Sequence, residues 1–547
     1  YRPSFLFYLV CTPCTPMFEY LQSEEKEITT KIEEEIDNLY ENGFLRPNSI
    51  QQIECGIGNY ERAVQNGISI MVFQVTQMCN LKCDYCPHAQ KDNNRMRSHA
   101  NIRMPKEMAF KGIDFLAAHS DEKKIIDISF FGGEPLIEFN LIKEIVLYAE
   151  GKLHNKHITF NVSTNALLLS EENIDFFAKH RFCISISMDG PRDIHDKNRK
   201  DWNGKGSFHR VYHNFLKLEK AFRNTESRII ISAVLDKQCN LDEAEWFFRQ
   251  LESDKVTIQP ALVDDLSSTI QHTMSDDFYW KMTYYKFLIM LDILKKLGKS
   301  DIPIVARPLK GKLMDLYYMF RDVEHNLSPI LKYQLGDSEQ SFLLYLNCQG
   351  NFYPVVGVNE AEYDMIIGSI NSGIDLDKME HLLQKASVYK SDCITCPAVA
   401  YCQLGITCCV EEQGITDHIK REYCESFIEL FQEMIGLFLL EKEMSQYYKS
   451  LNHVQIEESD KDITQAILRT IEAITLKRVI CTEKYADVSL MSREIGMSAL
   501  ELTYLLFELE KNYGITFEAE DVLDYRFCSV QKIVALIKKK RSRIHEY

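Results

Sequence analysis

The sequence predicts an α/β fold: a partial barrel of six βα units, then a small cysteine-rich metal domain, then an all-α C-terminal bundle. Three observations predict it. Six short apolar runs, at 70–75, 125–131, 158–164, 182–187, 229–234 and 256–259, alternate with stretches whose apolar residues recur at helical spacing, the rhythm of parallel βα units. Directly after the first run comes Cys79-Asn80-Leu81-Lys82-Cys83-Asp84-Tyr85-Cys86, and far downstream lie Cys393, Cys396, Cys402 and Cys424. Past the acidic hinge Glu457-Glu458-Ser459-Asp460, periodic helices start afresh.

At 547 residues the chain is too long for one compact core, and two to four domains are expected. The formal charge of -17 argues against a nucleic-acid groove, which needs a concentrated positive footprint. Seventeen cysteines at metal-ligand spacings, not in a disulfide framework, fit a reducing compartment where thiolates stay available for iron. No apolar run approaches the roughly 18 to 20 residues that span a bilayer, and 5–10 is too short for a signal-peptide core. A cytoplasmic setting is therefore expected.

Cys79, Cys83 and Cys86 place three thiols within eight residues at the end of a strand. Three thiolates can hold three irons of a four-iron cluster and leave the fourth open, whereas structural sites take four protein ligands. An open iron implies chemistry at the metal. The alternative is a zinc knuckle completed by a nearby histidine such as His88. The Cys-x3-Cys-x2-Cys spacing, with Tyr85 just before the third cysteine, resembles the radical SAM superfamily. That resemblance implies a [4Fe-4S] cluster whose open iron chelates S-adenosylmethionine. One electron from the cluster would cleave the cofactor to a 5'-deoxyadenosyl radical that abstracts hydrogen. It also implies that the reactive groups sit at the C-terminal ends of the barrel strands.

The other strand ends carry motifs that match the same superfamily. Gly132-Gly133-Glu134-Pro135 follows the second strand, where glycines let backbone approach a ligand closely; by resemblance it would meet the methionyl amine of the cofactor. Thr164-Asn165-Ala166 ends the third, where relatives often have Thr-Asn-Gly, and reads equally as a plain turn. Ser187-Met188-Asp189-Gly190-Pro191, followed by Ile194-His195-Asp196-Lys197-Asn198-Arg199, resembles the SPASM subgroup. By motif match Ser187 would meet the ribose and Arg199 the cofactor carboxylate; without the family, Asp189 to Pro191 is a good turn. Leu262, after the sixth strand, is a candidate adenine contact.

Cys393-x2-Cys396-x5-Cys402 with Cys424 resembles the ligand set of the distal auxiliary [4Fe-4S] cluster of SPASM domains, with four-thiolate zinc as the alternative. The second auxiliary cluster of that subgroup is expected to be absent. In the hairpin Gly350-Asn351-Phe352-Tyr353-Pro354, Val355 stands where a cysteine belongs, and Ile406 replaces another ligand. A rearranged cluster using Cys348, Cys408 and Cys409 is the other reading. Sulfatase-maturing enzymes carry an aspartate after the hairpin cysteine as a base; here Val356 cannot take a proton.

Expected boundaries are an N-terminal extension at 1–66 that is leader-peptide-recognition-like or merely packing, with Cys11 and Cys14 as a weaker metal pair, and the radical SAM partial barrel at 67–265. A helical bridge at 266–335 and a SPASM-like domain at 336–450 follow. Residues 458–547 resemble an acyl carrier protein. Gly496-Met497-Ser498-Ala499-Leu500 matches that family's signature, but Ala499 stands where the phosphopantetheine serine should be, with Ser498 one position early. The acidic second helix is expected to dock a basic partner; an inert appendage is the alternative. Together these resemblances imply a radical SAM maturase of a ribosomally made precursor peptide, forming a thioether or carbon-carbon crosslink. An electron donor such as flavodoxin or ferredoxin would serve it. The alternatives are an anaerobic sulfatase-maturing oxidase of Ser or Cys, and a cofactor-binding scaffold that recruits partners through the carrier-like domain. No residue stands out as a catalytic base.

Overall fold

The computed structural model describes residues 52–54, 60–86, 99–263, 273–298, 302–321, 330–332, 342–356, 365–386, 417–447, 459–475 and 482–544, with isolated positions between 360 and 415. Residues 1–51 of the expected N-terminal extension, Cys11 and Cys14 among them, and also His88, Ile406, Cys408 and Cys409, lie outside the described residues. The described residues divide into two compact units, one within 50–273 and 328–425, the other within 274–327 and 426–547.

In the first unit the strands are, in chain order, β1 (Gln52–Glu54), β2 (Ile68–Thr76), β3 (Leu81–Cys83), β4 (Ile125–Gly132), β5 (His157–Thr164), β6 (Cys183–Ser187), β7 (Arg199–Asp201), β8 (Arg228–Leu235) and β9 (Val256–Leu262). After them come β10 (Ile330–Lys332), β11 (Phe342–Leu346), β12 (Asn351–Tyr353), β13 (Gly368–Ser369), β14 (Gly373–Ile374), β15 (Val410–Glu411) and β16 (Gly414–Ile415). Ten of them form one sheet in the order β14-β13-β12-β11-β2-β4-β5-β6-β8-β9. All six apolar runs expected as barrel strands are present and pair in parallel, β2 to β4 through to β9. A seventh parallel strand, β11, lies beside β2, and the hairpin expected in a separate metal domain continues this sheet antiparallel from it.

A parallel sheet covered on both faces reads as continuous apolar residues. These strands alternate instead. On one face Ile126, Ile128, Phe130, Val162, Ile184, Ile186, Ile229 and Ile231 are fully buried, covered by α1 (Lys106–Ala118), α2 (Phe139–Lys152), α3 (Glu171–Lys179), α4 (Arg192–Asn198), α5 (Phe208–Phe222) and α6 (Leu241–Leu251). A row of phenylalanines crosses that face: ring centroids of Phe73 and Phe130 are 6.3 Å apart, Phe130 and Phe182 6.1 Å, Phe160 and Phe182 5.4 Å. Such contacts bury large apolar area while fixing ring geometry. The other face carries Asp127, Ser129, Asn161, Ser163, Ser185, Ser187, Ser232 and Gln259, half-buried or exposed. A wet, hydroxyl-rich face inside a curved parallel sheet is suited to hold a polar ligand.

In the second unit α7 (Asp276–Ile293) starts at Ser275, whose hydroxyl accepts from the Phe278 N–H, and α8 (Arg307–Arg321) follows. Of the helices expected as a bridge, α7 packs against α10 (Ala499–Tyr513), which with α9 (Asp460–Ile474) and α11 (Val530–Ile544) makes up the C-terminal helices. The Tyr284 hydroxyl of α7 donates to the Val522 carbonyl and accepts from the Phe527 N–H at 3.1 Å. Thr503 on α10 donates to Met290 Sδ at 3.7 Å, and Lys296 pairs with Glu510 at 2.8 Å.

This packing bears on two expectations for the carrier-like region. Ala499 is fully buried at the first turn of α10, and Ser498 is its N-cap, accepting from the Glu501 N–H at 3.2 Å while Glu501 Oε2 accepts from the Ser498 N–H at 2.8 Å. The Ser498 hydroxyl is thus part of a helix start. On the acidic helix Glu501 closes the capping box, and buried Glu510 is held by Lys296 and by the Phe517 N–H.

A candidate active site around three cysteines

The cysteine loop leaves the C-terminal end of β2 and is pinned by a short antiparallel ribbon. Strand β3 pairs with β7 so that Leu81 faces Asp201, Lys82 faces Lys200 and Cys83 faces Arg199, and the Asp84 N–H donates to the Asn198 carbonyl at 3.0 Å. Cys79 Sγ accepts from the Leu81 N–H at 3.4 Å, and the Cys86 N–H donates to the Cys83 carbonyl at 3.2 Å. The thiols are near enough that Cys83 and Cys86 raise the proton affinity of Cys79, and Cys86 that of Cys83. Burial pushes the thiols of Cys79 and Cys83 up to about 12; Arg199 partly offsets this at Cys83. Such a donor set ionises readily only beside a cation, which fits iron supplied by a cluster.

Behind the loop lies a buried polar network that the sequence reading missed. Asp189 accepts from Arg199 Nε and Nη2, both at 2.9 Å, from the Val234 N–H at 2.9 Å and from the Tyr85 hydroxyl. The Arg199 guanidinium also lies 5.5 Å from the Tyr85 ring centroid. Burial raises the Tyr85 phenol well above its ordinary value. His195 accepts from the Asp189 N–H through Nδ1 at 3.4 Å, and its Nε2 meets Ser207 Oγ at 2.9 Å. Ser207 in turn donates to the Arg199 carbonyl at 2.9 Å. Burial lowers the imidazole to about 4, so it is neutral. Arg199, expected to meet a cofactor carboxylate, spends Nε and Nη2 on Asp189; Nη1 stands outside that pair.

Gly132 and Gly133 are needed for a reason other than ligand approach. A Cβ on Gly132, whose φ is +154°, would lie 2.1 Å from the Thr76 carbonyl oxygen, and one on Gly133 would lie 2.2 Å from that of Met78. The glycines let the end of β4 close against the backbone leading into the cysteine loop, where the Gly133 and Glu134 N–H groups donate to Thr76 and Met78 carbonyls at 3.0 and 2.7 Å. Glu134 is fully buried, accepting from the Leu136 N–H at 3.0 Å, the Thr164 hydroxyl at 2.7 Å and the Asn165 N–H at 2.7 Å. Its side chain ties the ends of β4 and β5 together. Burial raises this carboxyl to about 7. Asn165 Nδ2 donates to Asn80 Oδ1 at 2.7 Å and lies 4.0 Å from Cys79 Sγ. Ala166 has φ of 61°, the left-handed conformation that glycine adopts at no steric cost.

Ser187 ends β6 on the polar inner face, and Leu262 ends β9 with 42% of its surface exposed. Both lie at the strand ends from which the cysteine loop also leaves. The hairpin adds a carboxylate: Glu360 accepts from Gln74 Nε2 at 2.7 Å, the Tyr345 hydroxyl at 2.8 Å and, more weakly, Gln77 and Asn347 amides at 3.4 Å. Val355 and Val356 follow the hairpin half-buried. Cys348, a ligand in the rearranged-cluster reading, is a buried thiol donating to the Gln74 carbonyl at 2.9 Å. Cys393, Cys396, Cys402 and Cys424 are half-buried; the Cys396 N–H returns to the Cys393 carbonyl at 3.0 Å and the Cys402 N–H to Val399 at 3.2 Å. Among the described residues no three His, Cys, Asp or Glu side chains converge on a single ion, and no helix is long and apolar enough to cross a membrane.

Residues 73–239 match the Radical SAM superfamily model, over the strands, loop and network just described. The chain carries a radical SAM domain. That domain marks it as an enzyme. Among curated proteins it is similar to the cysteine-type anaerobic sulfatase-maturating enzyme of Clostridium novyi (strain NT), 26% identical over 199 residues, 36% of this chain and 51% of that one. It is also similar to the radical SAM cyclopropyl synthase TigE of Paramaledivibacter caminithermalis, 25% identical over 190 residues, 32% of this chain and 39% of that one. The chain spans about half the length, or less, of these relatives. Among solved structures, native anSMEcpe with bound AdoMet superposes with a TM-score of 0.50 at 19% identity, over 69% of this chain and 99% of that one, a likeness of fold.

Of the groups sequence reasoning missed, Asp189 had a signal: a carboxylate ten residues before an arginine in an otherwise apolar strand end. Glu360 and Trp202 had none, because their partners Gln74, Tyr345 and Cys79 are remote in sequence.

Proposed function

We propose that the chain is a radical SAM peptide maturase that modifies a ribosomally made precursor, joining two of its residues through a thioether or carbon-carbon crosslink. The observation that carries this reading is the three-thiol loop at the C-terminal end of β2, held over a polar, half-open inner sheet face. Cys79, Cys83 and Cys86 would hold the cluster, and Asn165, Ser187, Arg199 and Leu262 line the strand ends where S-adenosylmethionine would lie. Bound there, the pair supplies a carbon radical able to take a hydrogen atom from the substrate. The chain's own part is positional. Glu134 clamps two strand ends, Asp189 aims Arg199 and Tyr85, and the β3–β7 ribbon fixes the cysteine loop. Cys393, Cys396, Cys402 and Cys424 would hold one auxiliary [4Fe-4S] cluster that takes up a second electron.

One observation favours a second reading, an anaerobic Ser or Cys oxidase of the sulfatase-maturing kind. Glu360 brings to the hairpin a carboxylate that Val356 lacks. Anaerobic reconstitution followed by dithionite tests both: 5'-deoxyadenosine must form. Coexpression with a neighbouring cysteine-rich precursor, read by mass spectrometry, should show loss of two hydrogens and a crosslink. Turnover of a Cys-x-Pro-x-Arg peptide without crosslinking would favour the oxidase.

A further inference from the structure

The β3–β7 ribbon has two faces with different chemistry. Opposite residues of an antiparallel pair point the same way, and neighbours along a strand alternate. Cys83 and Arg199 therefore share the inner face, and Lys82 and Lys200 the outer one. Two lysines directly opposite each other repel, a cost a surface ribbon has no structural need to carry. Asp84 relieves it in part, 3.1 Å from Lys200. Lys82 stays exposed, and so does Lys205 in the turn that follows. At this face stands Trp202, 58% exposed, with Lys82 Nζ 6.0 Å from its ring centroid. Its indole N–H donates to the carbonyl of Cys79 at 3.2 Å.

An exposed tryptophan beside Lys82, hydrogen-bonded to a residue that would ligate iron, resembles the centre of a small interface: Trp dominates hot spots, and redox encounters use little area. We infer that the outer face of the β3–β7 ribbon, Lys82, Lys200, Trp202 and Lys205, is the docking site for an acidic one-electron carrier protein. This rests on the radical SAM reading above. The carrier gives up one electron and the cluster gains it, and no bond forms or breaks at the ribbon. Charge decides the partner. A chain of formal charge -17 repels an acidic protein on average, so approach is steered to a locally positive face. A peptide substrate has to reach the inner side of the sheet, whereas a carrier needs only the outer side of the loop.

Lys82→Glu combined with Lys205→Glu tests the assignment on the full chain, with reduced flavodoxin as the probe. Stopped-flow reduction of the reconstituted cluster should slow roughly tenfold or more at low salt, with the gap closing as ionic strength rises. Dithionite-driven 5'-deoxyadenosine formation and iron content should stay at wild-type levels, and Lys82→Arg with Lys205→Arg should restore the carrier rate. Unchanged flavodoxin kinetics would overturn the assignment, as would a selective loss of precursor-peptide affinity. If dithionite fails on the wild-type chain, the radical SAM reading fails instead. Calorimetric titration of the cluster-free chain with flavodoxin still tests the ribbon in that case: both the double charge reversal and Trp202→Ala should weaken binding at least several-fold, and equal affinities would refute the site.

Discussion

Asp189 is the residue on which the site's geometry turns. Its carboxylate is fully buried and meets Arg199 twice, Tyr85 once and the β8 backbone once. Removing one partner of a buried ion pair leaves the other uncompensated, at a cost of about 3–5 kcal/mol. Asp189→Ala should lower unfolding free energy by that order in urea titration, and Arg199 should no longer be aimed. His195 gives a pH signature. Burial places its folded value near 4, below the ordinary 6.5, so the unfolded chain binds the extra proton first. Stability is therefore full above pH 6.5 and is lost as pH falls toward 4, by roughly 3 kcal/mol from this group. His195→Gln should flatten that limb of a stability-against-pH curve. Ala166 pays for its left-handed backbone, φ 61°. Ala166→Gly should raise the unfolding free energy by about 0.5–1 kcal/mol in the same titration, the steric relief exceeding the entropy glycine adds to the unfolded chain.

At the scale of elements, the C-terminal helix α10 shows how packing reassigns a motif. The match to a carrier signature was plain in Gly496 to Leu500, and so was the missing hydroxyl at Ala499. That Ala499 would be sealed under neighbouring chain follows from packing that no local pattern encodes, whereas Ser498 as N-cap, with Glu501 three residues on, is a local capping box. Ser498→Ala should cost about 1 kcal/mol of stability, measured by thermal denaturation. Intact mass after incubation with a phosphopantetheinyl transferase should not change. The strands tell the opposite story. Their period-two alternation of Ile or Val with Ser, Asn and Asp was readable directly, because a strand sends neighbouring side chains to opposite faces. Only the apolar runs are read as strands from the sequence, and the division into covered and open faces is left for the structure to show.

For the whole molecule, the informative quantity is iron. With Cys79, Cys83 and Cys86 for one cluster and Cys393, Cys396, Cys402 and Cys424 for another, anaerobic reconstitution should give about eight irons per chain, against about twelve for a chain with two auxiliary clusters. Cys348 donates to the Gln74 carbonyl. The hairpin Gly350 to Pro354 is built into the barrel sheet through β11, and Glu360 bridges Gln74 of β2 and Tyr345 of β11.

What the sequence alone determined is whatever depends on short-range order: the six parallel strands and the three closely spaced thiols that follow the first of them. These are set by residue type and spacing within one element. What only the tertiary structure decided is which groups meet across elements. Asp189 takes Arg199 from a later segment, Gly132 and Gly133 serve the backbone of Thr76 and Met78. Trp202 reaches the Cys79 carbonyl across the ribbon. The physical reason is the same each time. A buried polar group must find a partner wherever the fold brings one, and that distance is written in packing rather than in the order of residues.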